Sequence, residues 1–278
     1  MRMDIDSVNG LRVARFGTGE RTIVAVHGIT ASLMAWQAVA RRLPDDWSLV
    51  AMDLRGRGHS RDLPGPYGLP RHAQDVLAVA ERYRPEVLTG HSMGAFVAVL
   101  AAAERRFGKV VLVDGGLPLP PLPPEADVDA VMEQTLGPAV ARLGLTFADE
   151  AAYVDFFKRH PAFAGGWNQD AEDYVTYDLV GPEGALRSRA VEEAVRQDGR
   201  WLRTRGEAIA GALERVSAPI TLLRAPRGLL DQPEPFVPDV LVAPWSSRVR
   251  DEMVDDCNHY TILLDPRCAA LVADRLTA

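Results

Sequence analysis

The residues best suited to chemistry are Gly90-His91-Ser92-Met93-Gly94, directly after the apolar run Glu86 to Thr89 and directly before an alanine-rich stretch beginning near Ala95. A serine on a sharp strand-to-helix turn presents its hydroxyl openly. The turn needs glycine neighbours, because the backbone there is strained and flanking side chains would collide. The first amides of the following helix, that of Met93 among them, then point at the reacting oxygen, where aligned N–H groups favour negative charge. A second glycine turn, His27-Gly28-Ile29-Thr30, closes an early strand. A loop amide from it would complete a hole for an oxyanion, with Ile29 the first choice and Thr30 the second.

A serine hydroxyl is a weak nucleophile near neutral pH and requires a base, itself oriented by a carboxylate. Six histidines compete for that role. His27 and His91 belong to the glycine turns, His59 lies in a glycine loop, His72 opens a helix and His160 sits in a helical region, so a structural part suits each of them better. His259 follows the last strand pattern and precedes the C-terminal helix, which places it at the carboxyl end of a sheet, where α/β sites form. It is the expected base. The carboxylate should follow the strand Pro219 to Leu223 and precede His259, giving the chain order Ser, Asp, His. Asp231 is expected there. Asp114, at the end of the strand Lys109 to Val113, is the alternative, while Asp251, Asp255 and Asp256 read as a solvated strand edge.

These residues need a scaffold, and the pattern supplies an α/β one. Short β-rich runs at Leu11 to Phe16, Thr22 to Val26, Ser48 to Met52, Glu86 to Thr89, Lys109 to Val113, Pro219 to Leu223 and Val249 to Val254 alternate with helical stretches. That order puts parallel strands in one sheet with helices on both faces. Leu117 to Pro124 is proline in five of eight positions, too stiff and donor-poor for a helix interior, and reads as a hinge. From about Asp127 to Arg215 the sequence is helical and aromatic with no β-run. Its aromatics read as the core of a small subdomain more readily than as a pocket lining. The arginines from Arg187 to Arg205, interleaved with Glu192, Glu193 and Asp198, read as a solvated helix face.

With 278 residues, 47% of them hydrophobic and 25% charged, the composition is that of an ordinary folded protein. The net charge of −7 argues against a general nucleic-acid binder. Cys257 and Cys268 make neither a disulfide framework nor a zinc cluster and suit a reducing compartment. With no apolar run of signal or membrane-span length, a cytoplasmic location is expected. Phosphate-loop and dinucleotide fingerprints are absent and no metal-ligand spacing appears, so no cofactor is expected.

The pieces His27-Gly28, Asp53-Leu54-Arg55-Gly56-Arg57-Gly58-His59-Ser60, Gly90 to Gly94, Asp231 and His259 together resemble the α/β-hydrolase superfamily, specifically its serine-nucleophile members with a helical cap. The resemblance implies an eight-stranded, mostly parallel sheet with helices on both faces and a cap inserted after the sixth strand. The core would comprise residues 1–116 and 214–278, and the cap residues 117–213. It implies a small-molecule acyl substrate; with the charge and the lack of a span, no nucleic-acid or membrane partner is expected, and monomer or homodimer is left open. Ser92 in the nucleophile position argues against the dehalogenase and epoxide-hydrolase members, which carry Asp there. Esterase, lipase, thioesterase, lactonase and carbon–carbon hydrolase remain compatible, with carboxylic-ester cleavage the leading expectation. A hydrolase-like binding protein is the alternative of another class, and it would be expected to lack a triad member.

Overall fold

The computed structural model describes residues 1–278. Its main sheet comprises β1 (Met3–Val8), β2 (Leu11–Phe16), β3 (Arg21–Val26), β4 (Trp47–Met52), β5 (Val87–His91), β6 (Lys109–Val113), β9 (Ile220–Arg224) and β10 (Val249–Met253). The spatial order is β1-β2-β4-β3-β5-β6-β9-β10. The first two pairings, β1 with β2 and β2 with β4, are antiparallel, and every other pairing is parallel. Central parallel strands are buried on both faces, which is why β4 and β5 are buried along their whole length and the β6 sequence, KVVLV, is a continuous apolar run. The strand β1, MDIDSV, escapes the sequence reading because it is an edge with alternate residues exposed and two aspartates.

Alternation along each strand divides the core. Val24, Val26, Val110 and Leu112 face α2 (Leu69–Tyr83), α3 (Met93–Glu104) and α8 (Gly206–Arg215), whereas Ile23, Ala25, Val111 and Val113 face α1 (Gln37–Ala40), α10 (Thr261–Leu264) and α11 (Pro266–Thr277). A short helix, α9 (Asp239–Val242), fills the connection between β9 and β10.

Between β6 and β9 the chain inserts α4 (Val128–Leu143), α5 (Glu150–Lys158), α6 (Gln169–Tyr177) and α7 (Glu192–Thr204), then α8. Aspartate or asparagine caps three of these starts: Asp127 on α4, Asp149 on α5 and Asn168 on α6 accept amides of the first turn. The region expected to hold no strand contains one small antiparallel ladder, β7 (Leu179–Val180) with β8 (Arg187–Ser188). Helix α8 begins within the expected cap boundaries and runs two residues past them, yet Ile209, Ala212 and Leu213 pack into the main core beside α3. The inserted helices α4 to α7 instead have apolar clusters of their own. They are tied to the sheet by polar contacts: Tyr177 Oη donates to Asp53 (2.8 Å), and Arg41 to Asp170 (2.8 Å). No helix is long and apolar enough to cross a membrane.

A tight backbone fit lies where α3 leaves β5. A Cβ on Gly94 would overlap the Val26 carbonyl, and one on Gly90 would overlap the Gly94 carbonyl. Gly94→Ala is therefore expected to cost about 1–3 kcal/mol from backbone displacement. The check is a lowered urea midpoint at unchanged slope, and an unchanged midpoint would show that the turn relaxes freely.

Candidate active site

Ser92 sits on the turn with φ 54° and ψ −125°, a region that non-glycine residues rarely enter. The turn is held from outside: the Ser92 amide donates to the Val113 carbonyl (2.9 Å). Because α3 begins at Met93, its first amides have no intrahelical acceptors and face the serine side of the turn. Gly28 lies against the nucleophile, where an added Cβ would come within 3.2 Å of Ser92 Cβ and 3.6 Å of its Oγ. Gly28, Ile29, Ser92 and His259 line one cavity of about 50 Å³.

The His259 ring is 3% exposed and lies between His91 (centroids 4.7 Å) and Phe236 (4.4 Å). Its Nδ1 donates to Asp114 Oδ2 at 2.7 Å. Asp114 is fully buried, has φ 47°, and also accepts the Ala225 amide at its other oxygen (3.2 Å). The expected contact between Asp231 and His259 is not formed: Asp114, the alternative, is the carboxylate that meets the ring. The reason is sheet order. The β6 strand lies beside β5, so the residue after β6 emerges next to the residue after β5, which is Ser92. Asp231 is more than a third exposed and accepts from Arg227 Nε (2.6 Å) and Asn258 Nδ2 (2.9 Å). Burial raises the Asp231 carboxyl, but these two donors outweigh it and hold the group below the ordinary carboxylate range. Its contact with Asn258 supports the turn that carries His259, one residue removed from the ring. The sequence signal for Asp114 was the strand end followed by Gly115-Gly116, a pattern that fits a left-handed aspartate at a turn.

Two histidines read as structural hold the backbone of this site. His91 Nε2 donates to the His259 carbonyl (2.8 Å). His27 Nδ1 donates to the Gly28 carbonyl (2.7 Å), while the Leu54 amide donates to His27 Nε2 (3.0 Å), so the ring is neutral with its proton on Nδ1. The Gly28 carbonyl and the Ile29 N–H belong to one peptide, so His27 fixes the plane of the loop amide expected to face Ser92. Burial pushes both rings below the ordinary histidine range, His27 to about 3.

The aromatic side chains of the insert mostly pack on one another. Phe147, Tyr153, Phe156 and Phe157 meet edge to face with centroids 4.8–5.7 Å apart, and Tyr174 is the aromatic of the insert that reaches the cavity. Arg196 pairs with Glu192 (2.7 Å), Arg200 with Asp129, and Arg203 donates to the Pro120 carbonyl, none of them at the cavity. No three His, Cys, Asp or Glu side chains converge as metal ligands.

With this geometry in place, comparison with known proteins is informative. The model of the alpha/beta hydrolase family matches residues 23–274. The chain belongs to that family. Among curated relatives it is similar to N-formylmaleamate deformylase of Pseudomonas putida, 38% identical over 115 residues, which is 39% of this chain and 43% of that protein. It is also similar to esterase YbfF of Escherichia coli, 37% identical over 97 residues, 33% of this chain and 37% of the other. The chain spans less than half the length of these relatives. Among solved structures, E-2-(acetamidomethylene)succinate hydrolase superposes with a TM-score of 0.78 at 22% identity, covering 99% of both chains. The thioesterase domain from the curacin biosynthetic pathway gives 0.75 at 20%, covering 100% of this chain and 99% of that one. These likenesses establish the fold.

The neutral buried histidines give a pH dependence with a definite sign. Below pH 6.5 the unfolded chain takes up protons at His27 and His91 that the folded chain refuses, so each ring's contribution is full above 6.5 and is lost as pH falls. Replacing His91 by Gln should make the fall in urea stability between pH 6 and 5 shallower by up to about 1.4 kcal/mol per pH unit. Parallel slopes for the two proteins would contradict a neutral His91.

Proposed function

We propose that this protein is a serine hydrolase that cleaves a carboxylic ester of a small, largely apolar substrate through an acyl-enzyme. The observation that carries the reading is the buried His259–Asp114 contact, 2.7 Å long, beside a serine on a strained turn. His259 takes the Ser92 proton as Oγ attacks the ester carbonyl carbon, and the amides of Met93 and Ile29 hold the resulting oxyanion. Collapse expels the alcohol, which takes its proton from His259. Water, deprotonated by the same ring, then releases the acid and restores Ser92. Asp114 keeps the imidazole in the productive tautomer and stabilises its charged form.

Further support comes from the cavity lining, in which 8 of 13 residues are hydrophobic, and from the esterase among the relatives. A cavity of about 50 Å³ has room for roughly three or four waters or a short acyl group, which favours small substrates. Amide cleavage is the second reading, favoured by the similarity to a deformylase. The same groups would serve it, with His259 protonating a leaving nitrogen. A cytoplasmic site of action fits the cysteine usage.

Fluorophosphonate treatment is expected to add one adduct to the native protein and none to Ser92→Ala, read by intact mass. A panel of p-nitrophenyl esters should show acetate and propionate turned over faster than octanoate, and a formamide series tests the second reading. An adduct retained in Ser92→Ala, or turnover undiminished by that change, would overturn the assignment. Asp114→Asn should lower kcat by about 10³–10⁴ with the fold intact, because the wrong tautomer is then favoured. Asp231→Asn should stay within about tenfold of native, since it acts through Asn258 alone. The reverse ranking of the two variants would restore Asp231 as the triad acid.

A further inference from the structure

A buried ion pair joins the inserted helices to the loop that carries Ile29. Arg57 and Asp198 are both fully buried, although they come from the core and from α7 respectively. Arg57 Nη1 lies 2.5 Å from Asp198 Oδ2, and Arg57 Nε donates to the Ile29 carbonyl (2.8 Å). Core groups complete the grip on the carboxylate: the Gly68 amide donates to Oδ1 (2.6 Å), and His72 Nε2 meets Oδ2 (2.9 Å). One residue along α7, Gly199 leaves room for Leu136 and Met132 of α4, whose ends a Cβ there would overlap, with Ile29 Cδ1 at contact distance, 3.6 Å. The Ile29 side chain packs against the apolar cluster of the insert formed by Val140, Leu143, Ala190 and Val195.

Two successive peptides of the loop are therefore held from different sides. The Gly28–Ile29 peptide is fixed by His27, a core residue, and the Ile29–Thr30 peptide by Arg57, whose own charge is balanced by a carboxylate on the insert. Fixing both planes fixes the backbone torsions of Ile29. We propose that Arg57 and Asp198 are positioning residues that make docking of the cap a condition for the loop after Gly28 to keep its shape beside Ser92: His27 anchors the peptide that carries the Ile29 amide, and the second anchor, through Arg57 on the next peptide, keeps that amide at the serine only while the cap is seated. This rests on the serine-hydrolase reading above for its catalytic consequence. Its structural premise is independent of that reading. An exposed pair would contribute little, but removing one partner of a fully buried pair leaves an uncompensated charge, and the guanidinium must then move or admit water. Either outcome releases the Ile29 carbonyl.

The test uses Asp198→Asn, which keeps the shape and removes the charge, and the double variant Arg57→Met/Asp198→Leu, which removes both charges together and so leaves no lone buried ion. Hydrogen exchange by mass spectrometry should show residues 27–32 exchanging at least about tenfold faster in both variants, with β3 unchanged. With p-nitrophenyl acetate, kcat should fall about 10- to 100-fold while KM stays within about threefold, since the lost contact acts on the transition state. Affinity for a trifluoromethyl ketone, whose adduct needs the oxyanion hole, should fall by the same factor as kcat/KM. Unchanged loop exchange in a double variant that still unfolds cooperatively would overturn the proposal, as would a raised KM with kcat intact. If fluorophosphonate fails to phosphonylate Ser92 in the native protein, the hydrolase reading fails, while the exchange measurement still decides whether the cap holds the loop.

Discussion

The positive φ of Ser92 is the constraint from which the rest of the site follows. A non-glycine residue held there costs about 1–3 kcal/mol, and it persists only where the surroundings allow no alternative. Here β5 ends against β6, the Ser92 amide is committed to the Val113 carbonyl, and α3 departs so close to β3 that only glycine fits at position 94. The same adjacency brings out Asp114 beside the turn. Its contact with His259, and the stacking of His259 between His91 and Phe236, use space that the strained turn has already defined.

What the sequence disclosed and what it withheld divide along the range of the interactions. Ser92, His27-Gly28 and the order of strands and helices are written in neighbouring residues, because a glycine turn at a strand end and an apolar run are local patterns. His259 was legible from its place between the last strand and the last helix. The carboxylate that meets its ring was not, since Asp114 and Asp231 both lie between Ser92 and His259 along the chain. Only the lateral order of strands, with β6 next to β5, distinguishes them. Asp198 shows the same limit. It lies in a helix rich in exposed charge, where nothing in composition separates the one carboxylate turned inward from its solvated neighbours.

Ionisable groups inside the molecule are handled in two ways. Asp198 and Asp114 are surrounded by donors from distant segments, so burial is compensated by the Arg57 charge and hydrogen bonds at Asp198 and by hydrogen bonds at Asp114. His27 and His91 are instead kept neutral, and a neutral ring offers one donor and one acceptor of fixed direction. Asp53 combines burial, which raises it to about 6, with bonds from the Leu33 and His59 amides and the Tyr177 hydroxyl. Tyr177 belongs to α6, so this carboxyl also links sheet and insert.

The inserted helices have a nucleus of their own, built from Tyr153, Phe157, Phe163 and their aromatic neighbours, while the sheet has two separate apolar layers. The two nuclei meet at a limited set of joints, some polar and some apolar, such as Trp201 and Leu202 against one layer of the sheet and Tyr174 and Tyr177 against the other. That is a modular arrangement: the aromatic nucleus of the insert can be repacked with little direct reach to the strained turn, because Tyr174 is the one residue of the insert that lines the cavity beside Ser92.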